Sequence, residues 1–168
     1  GKLISSARVS TPINILPGEG AEHEPDALLS AVYACIQAVA DQYTVDGLAI
    51  SSFAEAGLPL DGNGQPLYPI IAWYDNRTEP QVDHFLEKIP LSELITITGQ
   101  NPGFSFGLFK WLWIHEHHPE IARIAHNWLS VPDYLLFSLT GEMATDYTQA
   151  SRTMLFDQQS LDWSERIL

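Results

Sequence analysis

Asp61-Gly-Asn-Gly64 stands between two apolar runs, Leu58–Leu60 and Leu67–Ile71. Asp-Gly and Asn-Gly pairs tolerate positive φ, so these four residues read as the turn of a β-hairpin and commit both flanks to strands. Asp61 and Asn63 would also suit a calcium loop, but the remaining ligands of such a loop are missing and turn chemistry accounts for both residues.

Around this hairpin, Lys2–Ser10 alternates loosely and reads as a strand, Gly47–Ser51 as a buried strand, and Asn127–Val131 as a short one. Thr11–Glu24 is a loop containing Pro12, Pro17, Gly18 and Gly20. A helix opens at Pro25, with Asp26 near the positive end of its dipole and Leu28, Leu29, Val32, Ile36, Val39 and Ala40 as its apolar stripe. Further helices are expected over Thr78–Lys88, Leu91–Thr98, Phe109–His117 and Pro119–His126, and from Pro132 to Leu139, where Gly141 stops the last of them. Asp146–Met154 turns from polar to apolar and is expected to cross back towards the strands. Leu155–Leu168 reads as a loop followed by the start of a helix. There is no internal repeat, low-complexity tract or linker.

A chain of 168 residues with 45% hydrophobic and 11% aromatic side chains can bury one sizeable core, so a single domain is expected. The net charge of −13, with only eight Lys and Arg together, argues against nucleic acid and anionic membrane as partners, because both need basic groups. ATP remains compatible, since Mg²⁺ and a few backbone amides offset phosphate charge locally. The lone Cys35 lies in an apolar helical pattern and reads as a buried core thiol, which excludes an internal disulfide and a multi-cysteine zinc site. No apolar run is long enough to cross a membrane and no signal peptide opens the chain, so the cytoplasm is the default compartment.

Ile71-Ala-Trp-Tyr-Asp-Asn-Arg77 carries the strongest chemical signal. An indole face covers the C–H face of a sugar, a carboxylate accepts from hydroxyls, and a guanidinium donates to them. The same stretch also reads as a strand end with its ordinary polar exit. His115, Glu116, His117 and His118 lack the His-Glu-x-x-His spacing of a helical metal site, and a solvated helix end explains them. Neither common Gly-rich phosphate loop is present, nor a Gly-x-Ser-x-Gly elbow. Trp111 and Trp113, two apart, cannot share a helix face, so one belongs to the core and the other approaches a cleft. Lys110 is either an electrostatic cap on that cleft or part of a solvated helix flank.

Taken together, the chain resembles the first domain of the FGGY carbohydrate kinases, the group that contains glycerol kinase, xylulokinase and gluconate kinase. The resemblance runs through Asp61-Gly-Asn-Gly-Gln-Pro-Leu67 and Ile71–Thr78, then through Ser105-Phe-Gly-Leu-Phe-Lys-Trp-Leu-Trp-Ile-His-Glu-His117, which is similar to the first family signature except at Gly107. It continues through Trp128–Tyr134, Leu139–Glu142, Thr145–Phe156 and Leu161–Trp163. It implies an α/β, actin-like (RNase H-like) ATPase fold, of which this chain is a partial first domain with a mixed sheet flanked by helices. It also implies transfer of the ATP γ-phosphoryl group, with Mg²⁺, to a sugar or polyol hydroxyl.

By the same resemblance a phosphate-binding hairpin is expected before Gly1, and the aspartate base and second, ATP-binding domain after Leu168. The chain is therefore expected to be inactive alone and to hold none of the catalytic residues. The family sheet places its first two strands between those at Lys2–Ser10 and Gly47–Ser51, and their lack here predicts marginal stability or self-association. The substrate-binding residues implied are Glu55, Trp73, Asp75, Arg77 and Ser105. Glu55 falls where glycerol kinase has a substrate-binding glutamate, but Ala54 replaces the arginine beside it and Ser105 stands near a substrate tyrosine, so a larger sugar, ketose or sugar acid is favoured. Arg77 equally suits an ion pair that holds its loop. The alternative is a non-catalytic sugar-binding module using the same residues. A homo-oligomer is compatible with either.

Overall fold

In the computed structural model, which describes residues 1–17 and 20–168, the chain runs β1 (Asn14–Ile15), β2 (Ala21–His23), α1 (Pro25–Ala40), β3 (Gly57–Leu60), β4 (Ile70–Ile71), α2 (Glu79–Leu86), α3 (Leu91–Thr98), α4 (Gly107–His117), α5 (Pro119–Ile124), β5 (Asn127–Ser130), α6 (Val131–Thr140), α7 (Tyr147–Ser151), β6 (Phe156–Asp157) and β7 (Asp162–Trp163). The helices start and stop for local reasons. Pro25 opens α1, where its missing N–H would have had no intrahelical partner, and Asp26 meets the dipole. Ser130 caps α6 with its hydroxyl, and Gly99 and Gly141 end α3 and α6 at φ 66 and 79, a region open to glycine.

The sheet has the order β1-β2-β4-β3-β5. Every pair recorded in it is antiparallel, so the parallel pairing of a mixed sheet is not found among the described residues. The expected hairpin forms. Asp61 anchors its turn by accepting from the Asn63 and Gln65 N–H groups at 2.8 Å each. Leu60 bridges to Pro66, yet Gly57 pairs with Ile71, so three steps on one strand face five on the other. The two extra residues form a bulge around Tyr68 and Pro69, which explains why β4 holds only Ile70 and Ile71 rather than Leu67–Ile71.

Two apolar clusters fix the layers. Leu28, Leu58, Leu60, Ile70, Leu129, Val131, Tyr134 and Leu135 join α1 and α6 to the sheet. Ile89, Leu94, Phe106, Leu108, Phe109, Met154 and Ile167 join α3 and α4 to the segment after α7.

Five expectations fail, each for want of a neighbour or because one exists where none was foreseen. Lys2–Ser10 and Gly47–Ser51 lie in no β-ladder of the described residues, because no strand runs alongside to exchange hydrogen bonds with them. The expected loop over Thr11–Glu24 instead contains the β1–β2 hairpin, paired Asn14↔Glu22 and Ile15↔Ala21; Gly18 of that loop lies outside the described residues. Leu155–Leu168 forms the β6–β7 hairpin rather than leading into a helix. Cys35 is half-buried, since α1 leaves that face uncovered.

Candidate functional site

The segment after β4 turns sharply, and an ion pair made inside the chain holds the turn. Asp75 is fully buried, and its Oδ2 accepts from the Ala21 N–H at 2.7 Å and from Arg77 Nη2 at 2.6 Å, while Arg77 Nε donates to both carboxylate oxygens at 3.0 Å. Arg77 Nη1 reaches Glu22 Oε1 on β2 at 2.6 Å. The guanidinium lies 5.1 Å from the Trp113 ring centroid, so this tryptophan of α4 forms its lid. Burial alone would raise the Asp75 pKa, but the hydrogen bonds from Arg77 and Ala21 outweigh it and hold the carboxyl below its ordinary value. The same two carboxylates push Arg77 further up against its own desolvation. Asp75 and Arg77 therefore form the loop-holding ion pair, and Asp75 offers no exposed oxygen.

What this corner presents is Trp73. Its side chain is 49% exposed and meets Tyr74 edge-on at 5.4 Å between ring centroids. Glu55 lies at the same end of the sheet, two residues before β3 begins. Gly57 is paired with Ile71, so Glu55 and Trp73 each leave the sheet two residues beyond the last paired position, at one end of the β3–β4 pair. Glu55 is half-buried and is held by Arg152, whose Nε donates to its Oε1 at 2.8 Å and whose Nη2 donates to the same oxygen. Arg152 Nη1 donates to Gln100 Oε1 at 3.3 Å.

Between the two acidic groups sits Lys110. The side chain is completely buried in the first turns of α4, and its ammonium donates to the Phe104 and Ser105 carbonyl oxygens. Desolvation pulls its pKa down to about 7, against the attraction of Asp75 and Glu55, which acts to raise it. Lys110 is thus a buried cation beneath the Phe104–Ser105 backbone and not a solvated flank. Ser105 contributes its backbone oxygen to this contact and stands half-buried above Lys110. With Thr78 Oγ1 also donating to the Phe104 oxygen at 2.7 Å, the segment from Gly99 to Phe106 is fastened from two sides.

Of the residues singled out in the sequence, Glu55 and Trp73 come to one end of the sheet. Asp75 and Arg77 lie behind them as support, and Ser105 borders the buried lysine. Sequence reasoning missed Glu22, Gln100 and Arg152. Arg152 is 97 residues from its partner Glu55, and nothing local to either signals the pairing. The one available clue was a lone arginine between the small polar residues Ser151 and Thr153, just before the apolar Met154–Phe156.

Elsewhere, the polar end of α4 is solvent-exposed at His115, Glu116 and His117. His117 stacks on Trp113 at 4.5 Å, and His118 faces Glu120 at 3.4 Å. Among the described residues no group of three His, Cys, Asp or Glu side chains is placed to hold a metal. Trp111 meets Trp128 at 6.4 Å and helps line an apolar cavity of about 340 Å³ with Leu108, Leu112 and Ile167. No helix of the described residues is long and apolar enough to cross a membrane.

Comparison with known proteins places this arrangement. Residues 1–168 match the FGGY family of carbohydrate kinases, N-terminal domain. The chain is 32% identical over 174 aligned positions to L-fuculokinase of Escherichia coli K12, covering all of this chain and 37% of that protein. Among solved structures, the glycerol kinase of Plasmodium falciparum with ADP superposes with a TM-score of 0.89 at 29% identity, over 99% of this chain and 35% of the other. The gluconate kinase of Lactobacillus acidophilus gives 0.90 at 24% identity, over 99% and 34%, and supports the fold alone. The chain thus spans little more than a third of the relatives it matches, and the α/β fold expected from the sequence is theirs. With its family match running from Gly1 to Leu168, the chain belongs to the FGGY carbohydrate kinases and corresponds to their N-terminal domain.

Proposed function

We propose that the protein is an ATP-dependent kinase of a sugar, polyol or sugar acid, and that this chain supplies one wall of the sugar site. The observation that carries the reading is the departure of Glu55 and the exposed Trp73 from the same end of the β3–β4 pair. Glu55 accepts hydrogen bonds from substrate hydroxyls, and the indole of Trp73 covers an apolar C–H face. Asp75 and Arg77 hold the Trp73 loop, and Ser105 borders the site. The named activities of the relatives span L-fuculose-type, xylulose and glycerol substrates. Ala54 leaves Glu55 without a cation from its neighbour in sequence, which favours a ketose or sugar acid over glycerol.

The γ-phosphoryl donor is ATP with Mg²⁺. Among the described residues no three His, Cys, Asp or Glu side chains form a metal-holding group, and the sequence carries no common Gly-rich phosphate loop, so these residues are given no step through nucleotide or metal. We assign the protein to the cytoplasm as a homo-oligomer or monomer with a small-molecule substrate and neither nucleic acid nor membrane as partner. The test is to assay the full-length protein with ATP and a panel of polyols, ketoses and aldonates, with Glu55→Gln in parallel. Phosphorylation of at least one compound, with KM raised about tenfold or more in the variant, supports the reading. No turnover with any compound refutes it, and sugar binding without turnover points to a non-catalytic binding module.

A further inference from the structure

Glu55 has an unusual partner. Its neighbour Ala54 offers no charge, and its cation arrives from the far end of the chain, where Arg152 follows α7. The base of that side chain is fixed: the Arg152 carbonyl accepts from the Gly107 N–H at 3.4 Å, and the Thr153 carbonyl from the Leu108 N–H at 2.9 Å, both at the start of α4. From there the guanidinium passes over the Phe106 ring, 5.2 Å from its centroid, to reach Glu55.

Two details set the pair apart from a simple ion pair. Two donors of Arg152, Nε and Nη2, go to one oxygen of Glu55, Oε1, and Oε2 accepts no hydrogen bond from the described residues. A guanidinium carries five N–H groups. Two meet Glu55 and a third meets Gln100, which leaves donors unused on a side chain that is 34% exposed. A carboxylate oxygen of Glu55 and guanidinium N–H groups of Arg152 are therefore left unused within one ion pair, beside the Phe106 ring.

We propose that Arg152 is a positioning and specificity-determining residue: it fixes the Glu55 carboxylate with one oxygen outward and forms with it a joint reader of two adjacent hydroxyls. Oε2 of Glu55 accepts from one hydroxyl while Arg152 donates to the oxygen of the next. The ligand class is a compound with a vicinal diol, and the inference rests on the reading that Glu55 faces the sugar. It also explains why the site manages without a cation at Ala54.

The experiment uses the full-length protein. Calorimetric titration, without nucleotide, measures affinity for the sugars of the panel and for monodeoxy analogues of the tightest binder. It is repeated for Arg152→Gln and Arg152→Lys, with thermal melting as the check on folding. We expect the wild type to lose about tenfold or more on removal of either hydroxyl of one adjacent pair, the effect of a charge-assisted hydrogen bond. Arg152→Gln should bind the parent sugar about tenfold to a hundredfold more weakly and no longer discriminate against one of those analogues. Arg152→Lys should recover part of the affinity. With ATP present, KM should rise more than kcat falls. Unchanged affinity and unchanged discrimination in a folded Arg152→Gln overturn the proposal while leaving the kinase reading intact. Should Arg152→Gln fail to fold, wild-type affinity indifferent to every single deoxygenation overturns it equally. A wild type that binds none of the sugars overturns both.

Discussion

Arg77 and Lys110 show at the level of single residues how buried charge is managed here. Arg77 neutralises two carboxylates at once, and one of them, Asp75, has no access to water. Removing it with Arg77→Met strands both acids, so we expect a loss of about 3–5 kcal/mol, read as a lower urea midpoint. Because Asp75 is held below its ordinary pKa, the stability it contributes is present above the unfolded-state value and is lost as pH falls through the folded one. The gap between wild type and variant should therefore narrow in acid. Lys110 has a linkage of the same sign, in a more alkaline window. With a folded pKa of about 7 against 10.5, the unfolded chain binds the extra proton between those values, so stability rises with pH there. Relative to Lys110→Met, the wild type should gain up to about 1.4 kcal/mol per pH unit across that window; a flat or falling difference contradicts the buried-lysine assignment. Trp73 drew notice through its own stretch, Ile71–Arg77, whereas Glu55 was reached only through the family resemblance. Glu22 and Arg152 were not legible, since each acquires its role from a partner brought in by the fold.

The elements differ in how much of them is local. Helices α3, α4 and α6 follow from apolar spacing and from Gly99 and Gly141, and their positions could be read directly. Strands depend on neighbours. Gly47–Ser51 has the composition of a strand but finds no ladder, whereas Asn14–Ile15 looks like loop and pairs with β2. The β3–β5 pairing is the tightest of these contacts. A Cβ on Gly57 would lie 2.6 Å from the Leu129 carbonyl oxygen and 2.8 Å from Trp128 Nε1, while one on Gly103 meets nothing within 4 Å. Gly57→Ala should thus cost about 1–3 kcal/mol in thermal or denaturant unfolding, through forced separation of β3 and β5 or a shift of the Trp128 indole. Gly103→Ala should stay within about 0.5 kcal/mol of wild type. Equal effects at the two positions would mean that the strands are not so closely opposed.

For the molecule as a whole, surface is the telling quantity. A compact monomer of 18.7 kDa should expose about 8,300 Å², and this chain exposes 9840 Å². Much of the excess lies along the unpaired segments, where Leu3 is 81% and Ile4 71% exposed. Extended backbone and apolar side chains of this kind pair with whatever strand is offered. The 168-residue chain by itself should therefore self-associate at tens of micromolar in light scattering and show no phosphoryl transfer; a monodisperse, stable monomer contradicts the first expectation and measurable turnover the second. The full-length protein gives the most direct test of the sugar wall, as a crystal structure with its bound sugar. We expect the sugar at the end of β3 and β4, with a hydroxyl donating to Glu55 and a C–H face against Trp73. A sugar seated instead in the cavity beside Trp111 and Trp128, out of reach of Glu55, contradicts the assignment.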